Sequence, residues 1–306
     1  MTNAELAIKG GPKTAEGPFP PWPWYTEEIA AVVGEPLRTG KTNYWTGPYG
    51  REFERQWAEW VGTKFAITTT NGTSALHVGL AGLGIGPGDE VIVPSYTFIA
   101  TSFAVCQTGA VPVFADVSPN SHTISPESVR ECISEHTRAI LPVHLYGCLA
   151  DMDSLLAIAR EHNLFVVEDC AQAHGGVYKG KKAGAVGDVG CFSFCQSKHF
   201  STGGEGGAVT TDNEEVLWMC RSFRDHGYDV AKRLTLLELE SKLPYIHDMV
   251  GFNFRMTEMQ SLIGLKELER LDNWNMANRR RNGRRMLELL AETPHILTLP
   301  HDSPEI

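Results

Sequence analysis

The sequence predicts an α/β fold in which a mostly parallel sheet is covered by helices on both faces. Between residues 65 and 211, short apolar segments alternate with longer segments of helical periodicity. The apolar segments are rich in Val, Ile and Phe, which is typical of parallel strands that are buried on both sides. The chain has 306 residues, enough for one large domain and a smaller one.

The alternation can be followed along the chain. Helices are expected near Thr26–Val33 and over Tyr49–Val61, where Phe53, Trp57 and Trp60 share one face. The predicted strands are Phe65–Thr70, Glu90–Pro94, Val111–Val117, Ala139–His144, Leu164–Glu168, Val189–Phe194 and Ala208–Thr211. The predicted intervening helices are Ala75–Leu83, Phe98–Gln107, Pro126–Glu135 and Met152–His162. In such a sheet, a binding site is expected at the carboxyl ends of the strands.

The character of the sequence changes after the last strand. A helix is predicted over Glu214–Asp225 and an irregular polar segment over Tyr228–Asp248. Helix is predicted again over Thr257–Leu290, with a break near Asn273. Thr257 and Gln260 fit a capping box. A short strand-like segment, 296–299, lies close to the end of the chain.

Three regions are predicted from these patterns. Residues 1–24 form an arm rich in Gly and Pro, which we expect to strap across a subunit. Residues 25–255 form the large domain. Residues 256–306 form a helical link into a small C-terminal domain, which we expect to be incomplete because the chain stops soon after the last apolar segment.

The composition disfavours several classes of protein. The net charge is −10, and the one dense basic segment lies on a predicted helix that also carries acids, so nucleic acid is not expected as a partner. No apolar stretch is long enough to span a membrane, and the N-terminus lacks the apolar core of a secretory signal. The seven cysteines are scattered, which indicates reduced thiols in the cytoplasm and disfavours a metal site.

Lys198 is the first candidate for a catalytic residue. It follows the predicted strand Val189–Phe194 and precedes a glycine-rich turn, SKHFSTGGEGG, at residues 197–207. A lysine at the end of a strand among small residues can present its amine to a bound aldehyde. The ordinary alternative is a solvated loop lysine.

Three further features would meet Lys198 at the same edge of a parallel sheet. Gly72 and Thr73 lie in the turn NGTS between a strand and a helix, which suits a phosphate but also suits an ordinary helix cap. Asp169 ends a buried strand and could pair with a cationic ring nitrogen or cap a turn. Tyr96 could stack on a planar cofactor or pack in the core. The set matches the needs of pyridoxal 5′-phosphate (PLP).

At this point the chain resembles the DegT/StrS family of PLP-dependent sugar aminotransferases, which have the fold-type I architecture of aspartate aminotransferase. The resemblance extends from about Trp45 to Leu290 and depends on several motifs in a fixed order. The motifs are TGP at 46–48, NGTSAL at 71–76, GPGDEVIVP at 86–94, PVHLYG at 142–147, EDCAQA at 168–173, SFCQSKHFSTGGEGG at 193–207, RDHG at 224–227 and GFNFRM at 251–256.

The resemblance implies a role for each matching residue. Lys198 would form the Schiff base with the cofactor, and Asp169 would pair with its pyridine nitrogen. Gln172 would lie near the phenolic oxygen, and Tyr96 would stack on the ring. The residues that would hold the phosphate are Gly72, Thr73 and Ser193. Asn253 would reach the phosphate in the neighbouring subunit, which implies a homodimer with shared active sites.

The resemblance also implies the reaction. Glutamate or glutamine would give its amino group to the cofactor, and a nucleotide-linked keto-sugar or a keto-cyclitol would receive it. The alternatives within the fold are a sugar dehydratase, which has His at the position of Lys198, and an amino-hydroxybenzoate-type synthase. A non-catalytic regulatory relative would be expected to lack Lys198 or Asp169. The chain departs from the family at His199, where many members have Asn, and substrate contacts are expected to differ there.

Overall fold

The computed structural model describes residues 7–13, 15, 17–237 and 247–292. The strand-like segment expected at 296–299 lies outside the described residues. The division into an arm, a large domain and a small C-terminal domain stays a prediction.

A seven-stranded sheet forms the centre of the protein, in the order β1-β9-β8-β5-β4-β2-β3. The strands from β8 to β3 are parallel, whereas β9 is antiparallel to both of its neighbours. This confirms the predicted mostly parallel sheet. Its strands are β1 (Phe65–Thr69), β2 (Glu90–Pro94), β3 (Val111–Ala115), β4 (Thr137–Ile140), β5 (Phe165–Asp169), β8 (Val189–Ser193) and β9 (Gly207–Thr211). A small hairpin, β6 (Val177–Tyr178) and β7 (Lys181–Lys182), replaces the helix that the sequence lacks after β5.

The helices follow the predicted order with three main differences. Helix α2, Glu35–Thr39, has no predicted counterpart. Helix α4 begins at Gly72, three residues earlier than predicted, because the Asn71 side chain caps it. The prediction that all of 228–248 is irregular is wrong, since it includes α9. The helices are α1 (Glu27–Val32), α2 (Glu35–Thr39), α3 (Tyr49–Val61), α4 (Gly72–Gly82), α5 (Ala100–Thr108), α6 (Pro126–Cys132), α7 (Met152–His162), α8 (Glu214–Arg224), α9 (Val230–Leu237), α10 (Glu258–Glu269) and α11 (Ala277–Ala291). Within the described part of the chain, none of these helices has the length and apolar character needed to cross a bilayer.

The predicted helical break near Asn273 is a π-helical turn, Leu271–Met276, between α10 and α11. The capping box of Thr257 and Gln260 at the start of α10 is confirmed. A π-helical turn places its side chains differently from a regular helix and is frequent at functional sites.

The core lies on both faces of the sheet. On one face the apolar side of α3 packs against aromatic residues of β8 and the following loop, with the Trp57 ring centroid 5.2 Å from that of Phe192 and 4.7 Å from that of Phe194. The other face is covered by α4, α5 and α8. Because β1 and β8 both run antiparallel to β9, their carboxyl ends lie at the same edge as those of β2 and β5. That edge carries the candidate site.

Candidate active site

A cavity of about 710 Å³ opens at the carboxyl edge of the sheet. The chain segments that follow β1, β5 and β8 meet there, as the sequence predicts. Six of the eight predicted site residues line it, namely Gly72, Thr73, Asp169, Gln172, Ser193 and Lys198.

One end of the cavity is formed by the first turn of α4. The Asn71 side-chain oxygen accepts hydrogen bonds from the Ser74 amide (2.8 Å) and hydroxyl (3.0 Å). The amides of Gly72 and Thr73, in the same turn, lie at the positive end of the helix dipole. A side chain at position 72 would place its Cβ 2.5 Å from the Cβ of Ser193, so only glycine allows α4 and the end of β8 to approach this closely. Helix amides and a serine hydroxyl together suit a phosphate group.

The cavity lining also contains a buried carboxylate. Asp169 is 6% exposed. Its carboxylate accepts hydrogen bonds from the Thr101 hydroxyl (3.0 Å) and the Ala171 amide (3.1 Å). Burial raises the pKa of Asp169 above its ordinary value, although these hydrogen bonds and the positive charge of Lys198 oppose the increase. A cationic group bound in the cavity would offset this cost of burial.

A second buried carboxylate lies behind Asp169 and was not singled out from the sequence. Glu168 accepts hydrogen bonds from His144 Nε2 (2.9 Å) and from three backbone amides of residues 184–187, at 2.7–3.0 Å. Burial alone would raise the pKa of Glu168, but His144 and these amides outweigh burial and lower it. His144 Nδ1 accepts from the Ala150 amide, so Nε2 carries the proton. The His144 amide in turn donates to the Asp169 carbonyl at 3.1 Å, which ties this network to the site.

The same residues, with Cys170, form a group whose side-chain ligand atoms lie within 4.8 Å of one another. The Glu168 carboxylate already has four donors and the His144 ring uses both nitrogens. The arrangement is therefore that of a satisfied hydrogen-bond network that supports the strand end, and its donor set does not suit a metal ion.

Lys198 lies in the loop between β8 and β9, and it is half-buried against the cavity. Its amide donates to the Cys195 carbonyl at 2.9 Å, which closes a tight turn after β8. Gly203, Gly204 and Gly206 then take positive φ angles, a backbone region that favours glycine. The glycine-rich turn therefore sends the chain directly back into β9 and holds Lys198 at the edge of the sheet.

Comparison with known proteins matches this arrangement to one group. The model of the DegT/DnrJ/EryC1/StrS aminotransferase family matches residues 24–305. The chain belongs to this family. The resemblance of its motifs to the family is confirmed.

Two relatives and one solved structure illustrate the similarity. The GDP-perosamine synthase of Caulobacter vibrioides is 43% identical over 260 residues, which cover 84% of this chain and 67% of that protein. The L-glutamine:2-deoxy-scyllo-inosose aminotransferase of Streptomyces fradiae is 38% identical over 296 residues, covering 94% and 68%. An aminotransferase from Psychrobacter cryohalolentis has a TM-score of 0.86 at 44% identity, covering 90% and 69%. The chain thus spans about two thirds of the length of these proteins.

In this aminotransferase, two predicted site residues lie outside the cavity lining. Tyr96 is 49% exposed, so plain core packing is the wrong interpretation for it. Its hydroxyl lies 2.9 Å from that of Tyr146, and the Tyr146 amide donates to the Gln172 side chain at 3.1 Å. Tyr96 is thus linked to a residue that does line the cavity. Asn253 is also exposed, next to Phe254 in the lining, and pairs with Asp225 in an isolated bridge.

His199 packs beside His174. It is absent from the described lining of the cavity, and its ring centroid lies 5.5 Å from that of His174. Burial, with the nearby charges of Arg279 and Lys198, lowers the pKa of His199 to about 4. The imidazole is therefore neutral at physiological pH, and the expected difference in substrate contacts at this position stays a prediction.

Proposed function

We propose that this family member is a PLP-dependent aminotransferase that moves an amino group from glutamate or glutamine to a nucleotide-linked keto-sugar or to a keto-cyclitol. The observation that carries the proposal is the single cavity shared by Lys198, the buried Asp169 and the first turn of α4. A lysine at position 198 argues against the dehydratase alternative. Lys198 and Asp169 are both present, which argues against a non-catalytic relative.

The phosphate of the cofactor would be held at the α4 end of the cavity. The amides of Gly72 and Thr73 and the hydroxyl of Ser193 are the donors that we assign to it. The close approach of residues 72 and 193 supports this assignment, because it brings a helix N-terminus and a hydroxyl to one place.

The ring would be held beside the buried carboxylate. Asp169 would pair with the protonated ring nitrogen, and this pairing would offset the cost of burying the carboxylate. Gln172 would face the phenolic oxygen. Tyr96 would stack on the ring, and its link to Tyr146 supports a position above residue 172.

Lys198 has two tasks in this proposal. Its amine would bind the cofactor's aldehyde. Once displaced by the amino donor, the amine would take a proton from the substrate carbon and deliver it to the cofactor carbon C4′. Bound PLP supplies an electron sink for the bond that is broken. The half-buried position of Lys198 supports both tasks, because the amine reaches the cavity from a loop that its backbone holds.

A second copy of the chain would complete the site. Several large apolar side chains are exposed just before α5, on α5 and on the edge strand β3, and clustered exposure of this kind is typical of an interface. Their exposed fractions are 66% for Phe98, 52% for Ile99, 55% for Phe103, 54% for Val111 and 56% for Phe114. We propose that a homodimer covers them and that Asn253 reaches the phosphate of its partner's site.

Shared sites predict complementation between two inactive variants. Lys198→Ala and Asn253→Ala would each be inactive alone. In a mixed dimer, one site combines an intact Lys198 with an intact Asn253 from the other subunit, so mixing and re-equilibrating equal amounts should restore about a quarter of wild-type activity. Size-exclusion chromatography would check that dimers form. No recovery in proven mixed dimers would contradict a shared site.

The substrate classes predict the outcome of a screen. Glutamate and glutamine would each be tested with nucleotide-linked keto-sugars and with keto-cyclitols, and the amino product and oxo acid would be measured by mass spectrometry. We expect one acceptor class to be aminated in a Lys198-dependent way. Formation of a deoxy-sugar without nitrogen transfer would favour the dehydratase instead, and an aromatic product would favour the synthase.

Two further assignments complete the proposal. All seven cysteines are free thiols, which supports a cytoplasmic location. We also propose that residues 25–255 form the cofactor-binding domain and that residues 256–306 lead into a small domain that closes over the substrate.

A further inference from the structure

We propose that the N-terminal arm and the π-helical turn together form a clamp that positions the backbone of Lys198. The clamp consists of Trp22 from the arm, Tyr25 directly after the arm, Asn275 from the turn and Arg279 from α11. This inference depends on the assignment of Lys198 as the cofactor-binding residue. None of the four clamp residues lines the described cavity, so they are positioning residues and not catalytic ones.

The first contact of the clamp is made to Lys198 itself. The indole nitrogen of Trp22 donates a hydrogen bond to the Lys198 carbonyl oxygen at 3.0 Å, across 176 residues of sequence. This carbonyl has no partner within a regular strand or helix, since Lys198 lies in a loop. The arm therefore holds the second of the two peptide groups that flank the Cα of Lys198, since the first already donates to the Cys195 carbonyl.

The second contact is made to the next residue along the chain. The Asn275 side-chain nitrogen donates to the His199 carbonyl, and Asn275 is 4% exposed in the π-helical turn. Two successive carbonyls of the lysine loop are thus held by donors from two distant parts of the chain. This arrangement fixes both the position and the direction of the backbone at Lys198.

Arg279 connects the two donors. Its Nε donates to the Asn275 side-chain oxygen at 2.7 Å, which orients the amide so that its nitrogen faces His199. Its guanidinium carbon also lies 4.6 Å from the centroid of the Trp22 ring, within the range of a cation–π contact. Arg279 therefore sets the orientation of one donor and supports the ring of the other.

Tyr25 holds the far side of the same loop. Its hydroxyl donates to the Ser201 hydroxyl at 3.1 Å and accepts from the Gly203 amide at 3.0 Å. Ser201 is 2% exposed, so this contact lies in a packed region. The end of the arm and the residue after it thus contact the lysine loop both at Lys198 and at the glycine-rich turn that follows.

The arm is itself fixed to the C-terminal helices. The Trp24 and Trp274 rings lie 5.5 Å apart, and the Arg270 guanidinium lies 4.5 Å from Trp274 and donates to the Trp24 carbonyl at 2.6 Å. A loop lysine has a long, flexible stem, so a small shift of its backbone displaces the amine. Misplacement by about 1 Å can cost on the order of 100-fold in rate, which gives the clamp a consequence for catalysis.

The test compares Trp22→Phe and Tyr25→Phe with Trp24→Phe as the matched control. The first removes the N–H and keeps a ring over Arg279, and the second removes only the hydroxyl. Trp24→Phe changes the same arm but keeps a ring beside Trp274 and Arg270 and keeps the backbone carbonyl that Arg270 binds, and the described indole of Trp24 makes no hydrogen bond to the loop. We measure hydrogen–deuterium exchange of residues 196–206 in cofactor-free protein, the rate of covalent PLP attachment, and kcat and KM.

We expect Trp22→Phe and Tyr25→Phe to speed exchange in residues 196–206 by about tenfold, the effect of losing one hydrogen bond. PLP attachment and kcat should fall by a similar factor, with KM for the amino donor unchanged. Trp24→Phe should stay within about twofold of wild type in all three measurements. If Trp22→Phe does not fold, Tyr25→Phe provides the same comparison.

Equal exchange and equal attachment rates in Trp22→Phe, Tyr25→Phe and Trp24→Phe would overturn the clamp. A failure of the proposed function would be seen in a different measurement, namely PLP attachment to the wild-type protein. If the wild-type protein attached no PLP, the assignment of Lys198 would fall, whereas the exchange measurement on cofactor-free protein would still decide whether the arm orders the loop.

Discussion

Lys198→Ala should lower transamination by roughly 10⁴-fold or more. The variant lacks both the amine that binds the cofactor and the group that moves the proton, and proton transfer alone contributes about 10²–10⁴-fold to catalysis. The yellow absorbance of lysine-bound PLP should disappear as well. The measurement is a single-turnover and steady-state assay with the acceptor identified by the screen.

Two controls separate chemistry from folding in this experiment. Lys198→Arg keeps the positive charge but supplies no nucleophilic amine, so it should be as inactive as Lys198→Ala. Gln196→Ala changes an exposed side chain of the same loop and should keep activity within about twofold. A Lys198→Ala variant with more than about a tenth of wild-type activity would show that another group performs the reaction.

Asp169→Asn should have the second largest effect on activity, a loss of about 10²–10³-fold, typical of removing one preorganised electrostatic contact. The amide cannot hold the ring nitrogen in its protonated form. The hydrogen bonds around residue 169 can survive, because the Ala171 amide still has an oxygen acceptor and the Thr101 hydroxyl can donate to Thr97, 2.9 Å away. The loss would therefore report charge and not a collapsed site.

The same variant should be more stable than wild type when PLP is absent. Burial raises the pKa of Asp169 above the ordinary value of 3.8, so the folded protein binds this proton more tightly than the unfolded chain. The free energy of unfolding of the cofactor-free protein therefore falls as the pH rises above 3.8. This cost of burying the charged carboxylate is complete once the pH exceeds the pKa of Asp169 in the folded protein. Asp169→Asn removes the cost, and its melting temperature at pH 7.5 should be higher by about 2 °C.

The pH dependence and a control variant test this explanation. The difference in melting temperature between Asp169→Asn and wild type should shrink as pH is lowered, because the wild-type carboxyl then becomes neutral too. Asp116→Asn changes an exposed carboxylate just after β3 and should show no such trend. An Asp169→Asn protein with near-normal turnover, or with lower stability at every pH, would be inconsistent with a buried carboxylate that awaits a cation.

The sequence predicted the central sheet well because its strands and helices have clear local signals. Tyr49–Val61, Glu90–Pro94 and Met152–His162 match the structure at both ends. The apolar periodicity of these segments agrees with their burial, so local and tertiary preferences point the same way. The edge of the sheet where the site lies followed from strand direction alone.

The start of α4 and the presence of α9 were missed for local reasons. Gly72, Thr73 and Ser74 are poor helix formers, and the early start depends on the capping side chain of Asn71. The signal was in the sequence, since Asn followed by Ser three residues later fits a cap. Helix α9, at Val230–Leu237, has apolar residues at positions 230, 234 and 237, the spacing of one helical face, so a helical signal was present there too and was overlooked within a longer polar segment.

Long-range contacts at the site could not be predicted. The sequence indicated that the aromatic arm packs against something, but it contains no signal that Trp22 reaches Lys198, 176 residues away. Within the described chain the arm contacts the lysine loop and the C-terminal helices, and a contact across a subunit stays a prediction. The Glu168–His144 pair likewise joins strand β5 to the segment that follows β4, through a hydrogen bond that spacing does not reveal.

Borohydride trapping shows directly whether Lys198 is the residue that binds PLP. Purified protein incubated with PLP would be reduced with sodium borohydride, digested and analysed by tandem mass spectrometry. We expect a phosphopyridoxyl group on Lys198 at close to one per chain, and on no other lysine to a comparable extent. A protein that retained no cofactor, or that carried it on a different lysine, would contradict the account.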